Sequence, residues 1–162
     1  MIRLVKFLAR IFHTDPYFGG SILGLVMTIP YLTVDYLSSL ISGVNPIPIY
    51  SATLVVSHAA IPGDYLFGMI ADIIAGSSLG FVLVFVFERT SYRFIRTKCL
   101  GAGAALWILH VSIIPKLWEP ELLKLMNRPT VYMAFINHIL WGLAFGIMLN
   151  AMRKGYFVKI EK

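Results

Sequence analysis

Apolar positions along this chain gather into long blocks without strict alternation, and short polar stretches separate the blocks. Four blocks are long enough to cross a bilayer, for which a helix needs about 20 apolar residues. They run over about 18–42, 65–87, 99–118 and 130–152. The third is the weakest, because Pro115 and Lys116 fall near its end. The pattern predicts an all-α membrane protein. Residues 1–162 are expected to form a single membrane domain built as a four-transmembrane-helix bundle.

A fifth apolar stretch, IPIYSATLVVSHAAIP, covers about 47–62 and is bracketed by Pro46, Pro48 and Pro62. The 13 residues between Pro48 and Pro62 make roughly 20 Å of helix. That is too short to span. It is read as a short extracytoplasmic helix, interfacial or re-entrant, that carries His58.

Charge changes the picture by giving the bundle an orientation. Eleven of the 14 Lys and Arg residues precede the first block, follow the fourth, or lie between the second and third. With four spans all eleven fall on one side, which the positive-inside rule makes cytoplasmic. A fifth span would move Arg89, Arg93, Arg96 and Lys98 to the other side and spoil the bias. The expected location is the inner membrane, multi-pass, with both termini cytoplasmic. Arg3, Lys6 and Arg10 recur at helical spacing among apolar residues. They fit an N-terminal amphipathic helix on the inner surface, or a charged cap before the first span. The same stretch is not expected to be a cleavable signal, because its charges recur through the apolar residues and no apolar core of signal length precedes a small-residue cleavage site.

Composition agrees. The chain is 58% hydrophobic, against about 45–50% in soluble domains. In a soluble protein a net charge of +6 would raise nucleic acid as a partner. Here the cations sit at block ends, so orientation accounts for them and no nucleic acid is expected. The one cysteine, Cys99, rules out an internal disulfide and every motif that needs a cysteine pair.

Small residues recur four apart: Gly20 and Gly24, Gly76 and Gly80, Gly101 and Ala105, Gly142 and Gly146. This spacing puts both on one helix face and lets backbones approach closely. In the four-span topology they lie mainly in the cytoplasmic half. Ionisable residues do the reverse. Asp35, Asp72, His110 and His138 each fall in the outer half of a different span, with Asn137 beside His138. Such residues are costly in lipid and face a bundle interior or a polar cavity. The set Asp35, Asp72, His110, His138 and Asn137, with His58 nearby, is therefore a candidate polar pocket. The plainer alternative is that each residue simply hydrogen-bonds a neighbouring helix.

Two histidines and two carboxylates suit a transition metal or a proton relay. His110 and His138 suit a b-type haem held between them. No HxxxH or HExxH pattern occurs, the metal is unspecified, and no cofactor is required. Ser57 precedes His58, but there is no GxSxG elbow and no phosphate-binding loop, so no catalytic residue is assigned.

A glycine-rich first span with a late proline, a GxxxG second span, HVSIIP ending the third and NHILWGLAFG opening the fourth occur in this order. The series resembles small bacterial inner-membrane proteins of the YagU-like type, over most of residues 19–150. The resemblance implies a polytopic inner-membrane protein, and it transfers neither an activity nor a catalytic residue. The leading functional reading is a non-catalytic subunit or scaffold of a larger membrane complex, since 162 residues leave almost no soluble domain. Its partners are then lipid and other membrane subunits, or copies of itself. A metal- or proton-handling transport component is the second reading. A haem-binding electron-transfer subunit is the third.

Overall fold

A computed structural model describes residues 2–42, 62–118 and 128–154. The chain folds as α1 (Ile2–Thr14), α2 (Pro16–Ser42), α3 (Pro62–Arg89), α4 (Ile95–Ile108), a π-helical turn (Leu109–Ile113), α5 (Ile114–Trp118) and α6 (Arg128–Arg153). Among the described residues, four stretches are long and apolar enough to cross a membrane: Pro16–Ile41, Tyr65–Arg89, Ile95–Leu117 and Arg128–Arg153. The protein is a multi-pass integral membrane protein built as an all-α bundle. His58 and the short helix expected over about 47–62 lie outside the described residues, apart from Pro62, which opens α3.

The helices begin earlier than the apolar blocks, for a local reason. Pro16 and Pro62 each stand first in a helix, where the missing N–H is not needed and the fixed φ suits the turn. Asp15 caps α2: its Oδ1 accepts the Phe18 N–H at 3.0 Å. α3 and α6 end on Arg89 and Arg153, cations that complement the negative end of the helix dipole.

The π turn has an identifiable cause. Pro115 has no N–H to donate and its ring crowds the carbonyl four residues back. The widened turn just before it absorbs that misfit, as the Ile114 N–H reaches back to the Leu109 carbonyl.

Two antiparallel pairs make the bundle. α2 packs along α3, α4 packs along α6, and α2 packs on α6 to join the pairs. α3 and α4 are not packed along one another. α1 lies across the end that holds the 89–95 connection and packs on α2 and α6. Its Leu8, Ala9 and Phe12 are buried, while Lys6 and Arg10 are exposed. The amphipathic helix thus turns its apolar face onto protein. Its residues join Leu23, Val84, Phe87, Cys99, Phe145 and Leu149 in one apolar core at this basic end.

The connection between α3 and α4 is built from its own side chains. Phe94 takes φ 58°, in the left-handed region. Lys98 Nζ donates to the Ser91 carbonyl at 2.7 Å, and the Tyr92 hydroxyl donates to Glu88 Oε1 at 2.7 Å. Burial, then the bond to Glu88, holds the Tyr92 proton well above the usual phenol range.

Candidate functional site

Register builds the site, and the small residues set the register. A side-chain carbon on Gly24 would land on the Gly76 carbonyl oxygen, and one on Gly80 would land on the Gly20 carbonyl oxygen. α2 and α3 therefore meet backbone to backbone. One turn beyond Gly24, the Thr28 hydroxyl occupies the space over Gly76 and donates to the Gly24 carbonyl at 2.9 Å. This antiparallel register brings Tyr31 of α2 to the level of Asp72 of α3. Further out it brings the Tyr36 and Tyr65 rings to 5.7 Å.

The second pair uses a different set of residues than expected. Gly142 sits against the Cys99 carbonyl oxygen, Gly103 against the His138 carbonyl oxygen, and Gly146 against the Cys99 side chain. Among the described residues, nothing lies within 4 Å of where a Gly101 side chain would be, and Ala105 is exposed. This corrects the expectation for Gly101 and Ala105. Two residues along a helix is about 200° around it, so Gly101 and Gly103 face opposite ways. The working small pair on α4 is Cys99 and Gly103.

Continuing that register about two turns brings His110, in the π turn, to His138 on α6. Their rings meet edge to face with centroids 5.6 Å apart, and His110 Nδ1 lies 3.4 Å from His138 Nε2. His138 Nδ1 lies 2.7 Å from the Ala134 carbonyl. A carbonyl only accepts, so His138 carries its proton on Nδ1 and presents Nε2 as an acceptor. His110 must then donate from Nδ1, which leaves its Nε2 as an acceptor. The Tyr31 ring meets His138 edge to face at 5.6 Å. The Trp107 indole donates to the Val131 carbonyl at 3.2 Å, a second tie between α4 and α6.

Asp72, His110 and His138 line one cavity of about 100 Å³, together with Tyr31. Leu79, Leu106 and Trp141 supply much of its apolar wall. All four spans contribute, and the cavity lies in the gap where α3 and α4 fail to pack. Asp35 and Asn137 are outside the lining. They face each other across α2 and α6, with Asn137 Nδ2 donating to Asp35 Oδ1 at 3.2 Å. Both are buried. Tyr31 lies within electrostatic reach of the Asp35 and Asp72 carboxylates, which links this pair to the cavity. The sequence reading missed Thr28, Tyr31 and Trp141, because hydroxyl and aromatic side chains are ordinary in membrane helices.

Among the described residues, no three or more of His, Cys, Asp and Glu stand close enough to hold a metal ion. The two histidine rings touch, so the arrangement leaves no room between them for a haem macrocycle. No protein family, curated protein or solved structure matches the chain.

Proposed function

We propose that this protein is a transport component of the inner membrane that takes protons or a small cation into the cavity between its helix pairs. One observation carries the reading: Asp72, His110 and His138, from three different helices, line a single cavity within the membrane-spanning part. Ionisable groups at that depth mark proton and ion pathways more often than they serve packing. In this reading both termini are cytoplasmic, the apolar core is the cytoplasmic half, and the cavity lies in the outer half. Membership of the YagU-like group belongs to the same proposal and adds no residue to the site.

A subunit of a larger membrane complex is the second reading, and its support is the third span. In the most apolar 18 residues of Ile95–Leu117, 11% are buried, against 33–39% in the other three spans. That leaves a long face for lipid or another subunit.

Reconstitution into liposomes holding a pH dye tests the proposal. Stepped external pH, in the presence of monovalent cations, should equilibrate faster through the protein than through empty vesicles. Asp72→Asn and His110→Gln should each slow the protein-dependent rate by about ten-fold or more. Wild-type rates equal to those of empty vesicles would remove the transport reading and leave the subunit reading.

A further inference from the structure

The groups that the cavity presents have one hydrogen-bonding character. The Thr28 hydroxyl, also on the lining, has committed its proton to the Gly24 carbonyl, so it offers only lone pairs. His110 Nε2 is an acceptor by the proton order fixed at Ala134. Asp72, as a carboxylate, accepts only. The lining thus includes acceptors from three helices, and a guest that carries several donors matches them. The aromatic rings of Tyr31 and Trp141 complete the wall, and aromatic surface favours a cation over a neutral donor.

Size and ligand type narrow the guest further. The cavity is small, about 100 Å³, and suits a compact guest. An alkali ion wants a shell of oxygens, whereas here one of the three acceptors is an imidazole nitrogen. A transition metal wants several strong ligands, and the facing nitrogens of the two histidines are occupied with each other. We infer that this cavity binds a compact cation with several N–H donors: ammonium or a small primary ammonium ion. This rests on the transport reading only for its purpose, since the binding chemistry stands on the lining alone. Ammonium offers four N–H donors and methylammonium three. Either satisfies Thr28, Asp72 and His110 together.

The test is thermal unfolding of the full chain in detergent with chloride salts at matched ionic strength. Ammonium and methylammonium should raise Tm saturably, at concentrations about ten-fold or more below those at which potassium or sodium acts. Tetramethylammonium, which has no N–H, should behave like sodium. Thr28→Val keeps the shape of the side chain and removes the acceptor; with Asp72→Asn it should abolish the ammonium-specific rise. The Tm of each variant in sodium chloride reports whether it is folded. The wild-type salt series needs no variant at all, so misfolding cannot rescue the inference. Equal effects of ammonium and potassium, or an effect of tetramethylammonium as large as that of ammonium, would overturn it. Proton flux in liposomes without ammonium selectivity overturns this ligand and leaves the transport reading standing. Ammonium-selective stabilisation in a protein that moves no ion supports the ligand and overturns that reading.

Discussion

The two halves of this bundle are held together by opposite means. At the basic end, glycines let backbones touch, and α1 closes an apolar core over them. The buried polar residues gather toward the far end: Thr28, Asp35, Asp72, Thr130, Asn137 and His138, among apolar neighbours such as Leu32, Ala134 and Trp141. The first half joins helices within each pair. In the second, Asn137–Asp35 and Tyr31–His138 join one pair to the other. In lipid there is no hydrophobic drive between helices, so association depends on close packing and hydrogen bonds. This protein uses each device in a separate place, which leaves one end dense and the other with a cavity.

The hardest blow to that division is Gly24→Leu or Gly76→Leu. Either forces a side chain into a backbone carbonyl or the Thr28 hydroxyl, with a loss of up to ~3 kcal/mol and weakened pairing of α2 with α3. Thermal unfolding and a crosslink between those helices measure it. Unchanged values in both variants would end the claim that these glycines set the register.

Coupling at the far end comes next. His110→Gln and His138→Gln share a hydrogen bond, and Asp72→Asn shares the cavity with both. Double-mutant cycles should give coupling energies of ~0.5–3 kcal/mol for the histidine pair and a smaller, non-zero value for Asp72 with His138. Simple additivity throughout would show that the three residues do not form one site. Asn137→Ala removes a single interhelical bond and should cost ~0.6–1.7 kcal/mol, read in the same unfolding assay. A loss no larger than that of a lipid-facing control such as Leu140→Ala would discount the Asp35 contact.

The span positions were legible because hydropathy over a whole helix is a strong signal, and Asp72, His110 and His138 stood out because buried charge is costly. The pairing was not legible. Small residues at 99, 101, 103 and 105 offer two opposite faces of one helix, and only the partner helix decides between Gly101 and Gly103. Asp35 and Asn137 were both visible, but their meeting depends on α2 packing on α6, which no local pattern states. Thr28 was hidden because its role depends on a glycine in another helix.

Two smaller effects sharpen the contrast. Gly101→Leu adds a side chain where no described residue stands within 4 Å, so monomer stability should move by less than ~0.5 kcal/mol. A change in oligomer size or partner retention with stability intact would favour the subunit reading. The smallest effect is at Tyr92. Its proton is held more tightly in the folded chain than in the unfolded one, so its stabilising contribution is complete below the unfolded pKa of about 10 and is lost as pH rises above it. Tyr92→Phe should flatten the alkaline decline of Tm, and an identical decline in the variant would discount the Glu88 bond.

The pairing of helices has a mechanical consequence. Each antiparallel pair is locked internally by contacts that cannot slide without a clash, so each would move as a unit, like a jaw. The seam between the jaws is narrower: α2 against α6, tied at the far end by a few directional bonds and closed at the basic end by α1. Relative displacement of the jaws would be concentrated in that seam, with α1 as the fulcrum. Because α3 and α4 do not pack along each other, a small rotation there would change the mouth of the cavity most. The glycine contacts would stay as they are.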